Sequence, residues 1–494
     1  MTTNICDNIV NDFPKITDGN KNKNQLTINS ASFWATNFYN KNITPANITY
    51  LIKYGKITKN IVNNQILVNK TELKNYFEKM LKNKKYTILY KDYNYIKTYF
   101  NNLNGDHSHF VNSNDICTPI ECIKEMVDTI PSSFWKNDNL KILDCCCGNG
   151  NFHSYINFKT ELKNLYFCEI NKKRIQNVRE YFGKNINLFE KDFLSFENKE
   201  EYDLVVANPP YAKFDTDNNR VSKNHNLARD FIRKALNITK YGGYTLFIVP
   251  NNWMSFSDRN DLPMELSKYQ FIHLDIGGAK KYFKKVGSSF TWFLLQKIPN
   301  TKPFTITNTY IQNDTQVASI DRGISFVPLY YSELVRNIVN KTINNVFLPK
   351  YKIETSSFLH HHTKQKNIRD KKDNEFYYKL IHTPTQICYS NIPHKFQDGY
   401  KVFLSLSNQY GTFIDDCGMT QSVAYIRCKN KEESEKIKSE LDNEIYIFLN
   451  NITRYGNFNN VRVLQNFPIL GSFELTREET NFIEEFNKKY YGKK

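Results

Sequence analysis

Between Leu140 and Gln296 the chain repeatedly interrupts polar text with short apolar runs. The runs are "LKILDCC", "NLYFCEI", "INLFEKDF", "YDLVVANP", "YTLFIVP", "FIHLDIG" and "FTWFLLQ". Each is of strand length, and helical text such as "LARDFIRKALNITK" separates some of them. Strands buried on both faces read as continuous apolar runs, so the pattern predicts an α/β domain over 113–300 with a Rossmann-like, largely parallel sheet. The last two runs lie close together, which predicts an antiparallel edge strand.

On either side the grammar changes. Before the sheet, Thr44 is placed to cap a helix that has Pro45 at its first position. Ile48, Leu51 and Ile52 give that helix an apolar face, and Gly55 ends it. "IVNNQILV" reads as a hairpin turning at Asn63 and Asn64. A second amphipathic helix then starts at Asn69 or Thr71 and carries Leu73, Tyr76, Phe77 and Met80. With Lys53, Lys56 and Lys59 beside the turn, this resembles a small winged helix-turn-helix module, so a polar arm and such a module are expected over 1–112. After the sheet, "FLHHHTKQKNIRDKKDNEF" reads as a loop. "KEESEKIKSELDNEIYIFLNN" reads as one amphipathic helix with Ile437, Leu441, Ile445, Phe448 and Leu449 on its apolar face. A third domain, of α+β type, is expected over 301–494.

Composition narrows the partners. The 494 residues carry a formal charge of +17, which points to a polyanion. Through Asp115 there are 15 Lys, no Arg and 8 Asp plus Glu. No run approaches the roughly 18 apolar residues of a membrane helix, so no membrane association is expected. The first residues lack the charged-then-apolar plan of a secretory leader. The ten cysteines are scattered or bunched as Cys145, Cys146 and Cys147, with no CxxC pair. A reducing, cytoplasmic location is therefore expected. Cys145–Cys147 read as strand-end packing, and His360, His361 and His362 lack a companion at ligand spacing, so no metal is expected.

The chemistry-bearing residues stand at the ends of successive runs. The first run ends in Asp144, followed by Gly148-Asn-Gly150, where glycines allow positive φ and close approach of a ligand. The third glycine of a dinucleotide fingerprint is missing, so hydride transfer is not implied. The second run ends in Glu169, a carboxylate suited to the two hydroxyls of a ribose. The third ends in Asp192, suited to accept from an adenine amino group. The fourth ends in Asn208-Pro209-Pro210-Tyr211, two prolines that stop a strand and stiffen the turn. Four successive strand ends form one crevice at the carboxyl edge of such a sheet.

This ordered set resembles the S-adenosylmethionine-dependent adenine-N6 DNA methyltransferases, in particular the gamma class of restriction–modification systems. Their Thr-Pro motif is matched by Thr118-Pro119, and their Asn-Pro-Pro-Tyr by Asn208 to Tyr211. Their later Phe is matched by Phe283, although the Pro that follows it there is Lys284 here. The resemblance covers about Ile116 to Phe467, including a segment from Lys401 that looks like a target-recognition domain. It implies a class I methyltransferase fold, S-adenosylmethionine as cofactor and double-stranded DNA as partner. It leaves room for a separate cognate restriction endonuclease. For the site, it implies that Asn208 and the Pro209 carbonyl accept the two amino protons of a flipped adenine, with Tyr211 and Phe283 stacking on its faces. Thr118, Asp144, Gly148 and Gly150 would hold the methionine part of the cofactor, Glu169 the ribose, and Asp192 the adenine between Ile170 and Phe193. The same motif also suits methyltransferases acting on glutamine side chains or RNA bases. A decayed, non-catalytic DNA-binding protein is a further reading, though its motifs should then be damaged.

Overall fold

The computed structural model describes residues 24–39, 43–83, 92–105, 116–197, 200–211, 227–283, 289–308, 314–363, 365–407 and 409–491. The chain divides into two compact units, 1–99 and 100–494. Most of the expected polar arm, residues 1–23, lies outside the described residues, as does Lys284.

The first unit is built around a three-stranded antiparallel sheet of Gln25–Thr27, Gln65–Asn69 and Lys59–Val62, in that spatial order. Helices Ile28–Tyr39 and Pro45–Lys53 pack on each other, and helix Lys70–Asn83 follows the hairpin. The local chemistry explains each boundary. The Thr44 side chain accepts from the Asn47 amide, the Asn47 side chain accepts from the Thr44 amide, and Pro45 sits in the first turn. Asn63 and Asn64 turn the hairpin at φ 47° and 59°, the left-handed pair a two-residue loop requires. The Asn69 side chain accepts from the Thr71 and Glu72 amides and so starts the last helix. Ala31, Ala35, Ile48, Val68 and Leu73 are fully buried between these elements. Lys53, Lys56 and Lys59 are exposed.

The second unit is organised by a nine-stranded sheet. Its strands are β1 Ile142–Asp144, β2 Leu165–Cys168, β3 Asn187–Phe189, β4 Tyr202–Ala207, β5 Thr239–Pro250, β6 Tyr269–Ile276, β7 Phe290–Pro299, β8 Phe304–Asn308 and β9 Asp314–Ala318. The spatial order is 3-2-1-4-5-7-6-8-9. Strands β1 to β5 run parallel, β7 runs against β5 and β6, and β9 runs against β8. This is the Rossmann-like class I sheet. The chain leaves β1 toward β3 on one side and returns to β4 on the other, so the crevice between β1 and β4 is a topological switch point.

Three expectations of detail are corrected. The reversed strand β7 lies inside the sheet, between β5 and β6, and the antiparallel edge is β9. The sheet also runs past Asn300, since β8 pairs onto β6 and β9 onto β8. Local patterning sees neither point, because both are set by which strands find each other across the sheet. Finally, the helical text after Lys431 forms two helices, Lys431–Leu441 and Glu444–Asn451. Asn443 leaves helical geometry and its side chain accepts from the Ile445 amide, starting the second helix.

Beyond the large sheet, two four-stranded sheets and helices Glu333–Lys341, Lys431–Leu441, Glu444–Asn451 and Arg477–Tyr491 make an α+β region. Phe326, Val335, Leu404, Tyr446, Phe448 and Phe467 belong to its core. Among the described residues no helix is long and apolar enough to cross a membrane.

Candidate active site

All four motif-bearing strand ends face the same edge of the large sheet. Asp144 ends β1 and is 1% exposed. Its Oδ1 accepts from the Cys146 amide at 3.4 Å, while its Oδ2 is buried without a partner. Burial pushes its carboxyl well above the usual carboxylate range, and the Glu169 charge adds to this. Asn151, just past the glycine loop, is similar. Its Nδ2 donates to the Thr118 carbonyl at 2.8 Å, and its Oδ1 is buried and unpaired. Two buried acceptors beside Gly148–Gly150 lack a donor, and a bound cationic group with N–H donors would satisfy both. Gly150 holds φ 89°, and a Cβ there would stand 2.5 Å from the Phe182 ring.

Glu169 is committed more heavily than its sequence position suggests. Its Oε1 accepts from the Ile170 and Asn171 amides, and its Oε2 from the Gly148 amide, each at 2.8 Å. Burial raises its carboxyl, opposed by these amides and by Arg174. A carboxylate offers about four acceptor directions, so about one remains. Bonding both hydroxyls of a ribose at once requires release of one amide. Ile170 stands 67% exposed beside it.

Asp192 is exposed, and its Oδ1 accepts from the Leu194 amide at 3.0 Å. Phe193 is buried, with its ring 5.4 Å from that of Phe231. It belongs to the core under the sheet edge. The three cysteines of the β1 loop have thiols raised by burial, which keeps them neutral and opposes nucleophilic use. Among the described residues no group of three or more His, Cys, Asp or Glu is placed to hold a metal.

At the end of β4 the Asn208 amide is anchored from behind. Its Nδ2 donates to the Ile116 carbonyl at 2.9 Å and to Thr118 Oγ1 at 3.0 Å. Thr118, expected at the cofactor, is thus tied to Asn208. The Tyr211 hydroxyl donates to Asn208 Oδ1. Pro209 is buried and Pro210 exposed. Among the described residues the Pro209 carbonyl accepts no hydrogen bond. The Tyr211 ring lies 5.8 Å from Phe290, and Phe290 lies 4.9 Å from Phe283. Phe283 is 4% exposed. The aromatic beside Tyr211 is therefore Phe290, which sequence reasoning missed. Its only signal was its place at the head of the last apolar run. Phe283 stands behind it, with its face covered.

Residues 124–282 match the family model described as Eco57I restriction-modification methylase. This stretch is similar to the restriction–modification methylases. The Type II methyltransferase M.AccI of Acinetobacter calcoaceticus is 27% identical over 135 residues, 24% of this chain and 25% of its own length. A release factor glutamine methyltransferase of Leptospira interrogans is 30% identical over 161 residues, 30% of this chain and 53% of its own length. The chain thus spans about a quarter of the one relative and about half of the other. A cryo-electron-microscopy structure of a DrdV–DNA complex aligns over 92% of this chain and 63% of that one, at 10% identity and a TM-score of 0.47.

S-adenosylmethionine is the cofactor that the motif resemblance implies, and the residues of this sheet edge fit it. Its amino-acid end carries an ammonium, the donor-rich cation that Asp144 Oδ2 and Asn151 Oδ1 lack. Asp144→Asn is expected to weaken cofactor binding by about 10–100-fold, the worth of a hydrogen bond to a charged group. The sign of the pH effect follows from burial. A carboxyl raised in the folded state adds stability at acidic pH and loses it as pH climbs through the raised value. A cation binds the ionised form better, so cofactor affinity should rise with pH, and in the Asn variant this rise should vanish. Calorimetric titration across pH checks both. An unchanged pH profile in the variant would remove Asp144 from the cofactor site.

Proposed function

We propose that this protein transfers a methyl group from S-adenosylmethionine to the N6 amino group of a flipped adenine in double-stranded DNA. The observation that carries the reading is the anchoring of Asn208. With Nδ2 committed to Ile116 and Thr118, the planar amide must turn Oδ1 the opposite way. Together with the Pro209 carbonyl, that gives two acceptors at one strand end, held by a stiff Pro-Pro turn. An exocyclic amine is a poor nucleophile because its lone pair is delocalised into the ring. Two fixed acceptors for its two protons favour the pyramidal, reactive form, an electrostatic preorganisation that needs no strong base. Tyr211 would stack on the flipped base, a contact worth about 1–3 kcal/mol. Phe290, backed by Phe283, makes the apolar wall behind Tyr211. Bringing Phe283 itself onto the base would need its ring to leave Phe290. Ile170 and Asp192 stand on the cofactor side. Such a modification would protect DNA from a separate cognate endonuclease.

The test is direct. The protein is incubated with methyl-labelled cofactor and genomic DNA, and the digested nucleosides are separated by mass. Label in N6-methyladenine is expected. Label absent from DNA but present on a release-factor protein in a parallel reaction would favour the glutamine reading. That reading is supported by the same amide chemistry and by the similarity to the Leptospira enzyme.

The first unit is assigned a DNA-contacting role on its winged-helix arrangement and its exposed lysines. Replacing Lys53, Lys56 and Lys59 by Ala should lower the slope of log affinity against log salt by about 2–3, since each lost phosphate contact removes about 0.9. Anisotropy titrations at several salt concentrations check this. An unchanged slope would make the unit structural.

A further inference from the structure

A hollow of about 510 Å³ opens one strand along from Asn208, on the same edge of the sheet. Its floor follows the end of β5, the neighbour of β4, where Ala207 pairs with Phe247. Three arginines line it, Arg229, Arg259 and Arg462, together with Asn252, Ser255 and Ser257. They come from three separate segments. Arg229 is in the first turn of helix Leu227–Ile238, whose Leu227 amide donates to the Tyr211 carbonyl at 3.4 Å. Arg259 is in the loop after β5, and Arg462 is in the short helix Val461–Leu464 of the α+β region. The Asn460 side chain donates to the Phe256 carbonyl at 3.0 Å and ties that region to the loop.

The charge in this hollow is unbalanced. Arg462 pairs with Asp258, the one acid in the lining. Arg229 Nη1 donates to the Arg259 carbonyl at 3.1 Å, and its Nε is buried without a hydrogen-bond partner. Asp261, 3.7 Å from Arg229, is held closer by Arg233 at 2.7 Å. Arg259 has no ion-pair partner among the described residues. Guanidinium, amide and hydroxyl donors gathered around one opening suit a phosphate group.

We propose that this hollow seats a backbone phosphate of the DNA that carries the target base, and so sets the strand's position against Asn208. The proposal rests on the reading of the chain as a DNA methyltransferase. Phosphate contacts fix register and orientation without reading sequence. A contact one strand from the reaction centre, made jointly by the sheet edge and the α+β region, would align the two with the duplex.

The experiment compares the intact protein with Arg259→Ala and Arg259→Lys. Arg259 is exposed on a loop, and unchanged melting temperatures establish that both variants fold. Affinity for a fluorescein-labelled duplex of mixed sequence is read by anisotropy over a salt series, and methyl transfer is read at saturating DNA. Arg259→Ala should lower the salt slope by about 1, weaken binding by about 3–10-fold and lower the rate at saturating DNA, because the strand is then held less firmly against Asn208. Arg259→Lys should keep the slope. Inorganic phosphate, titrated calorimetrically, should bind weakly and be displaced by the duplex. An unchanged slope in Arg259→Ala, with methylation by the intact protein intact, overturns the phosphate seat alone. Phosphate that binds and resists displacement by duplex makes a free anion the ligand and also overturns it. Failure of the intact protein to bind or methylate DNA overturns the functional reading, and the seat with it.

Discussion

Asn208→Ala is expected to lower the methyl-transfer rate by about 100-fold or more, while DNA affinity stays within about threefold of the intact protein. Among the described residues the Asn208 side chain hydrogen-bonds to the Ile116 carbonyl, Thr118 Oγ1 and the Tyr211 hydroxyl, so it carries little of the fold. Losing these three neutral hydrogen bonds costs about 1.5–4.5 kcal/mol of stability, within the reserve of an ordinary domain. In the proposed mechanism, what disappears is one of the two acceptors for the amino protons of the target base. Tyr211→Phe is the informative companion. It removes the hydroxyl now bonded to Asn208 Oδ1 but keeps the stacking ring, so its rate should stay within about tenfold of the intact protein. Single-turnover transfer, with anisotropy for DNA binding, measures both variants. If Asn208→Ala methylates at the intact rate, Asn208 is not the acceptor and the amino-proton mechanism is wrong.

How far the site was legible depends on where its information lies. Asp144, Glu169, Asp192 and Asn208 could be ordered from the chain because each closes an apolar run. In a sheet of this winding, successive run ends fall on one edge. The helix starts at Thr44 and Asn69 were legible for the same reason, since caps are local. Contacts made across the fold were not. No spacing reveals that Glu169 already receives three amides, or that Thr118 braces Asn208 from behind. Nor does it reveal that Phe290 intervenes between Tyr211 and Phe283. The strands after Asn300 belong to the sheet because β6 offers an unpaired edge, a fact about β6 and not about their own residues. The arginines around the hollow near β5 are spread from Arg229 to Arg462 in sequence, and only the folded chain gathers them.

Gly150→Ala should destabilise the second unit by about 2–5 kcal/mol, by two separable causes. The first is the backbone, since φ 89° lies where an L side chain is strained by about 1–2 kcal/mol. The second is space. The new methyl would stand 2.5 Å from Phe182 Cε2 and 3.3 Å from Cζ, well inside contact distance. Phe182 cannot swing clear easily, because it is 7% exposed and its ring meets Phe167 at 4.9 Å and Tyr181 at 4.7 Å. Overpacking of this kind typically costs about 1–3 kcal/mol. Gly148→Ala supplies the contrast. Gly148 also has positive φ, 55°, but its nearest neighbour is Arg174 Nη1 at 4.0 Å, so only the backbone strain remains. Its loss should be about 1–2 kcal/mol. Pairing Gly150→Ala with Phe182→Leu should return part of the packing loss, because the smaller side chain vacates the space the methyl needs. Urea unfolding of the three variants separates the causes. Equal losses in Gly148→Ala and Gly150→Ala would mean the ring yields freely. The glycine pair would then be required for backbone conformation alone, and the close approach of Phe182 would have no part in shaping the cofactor loop.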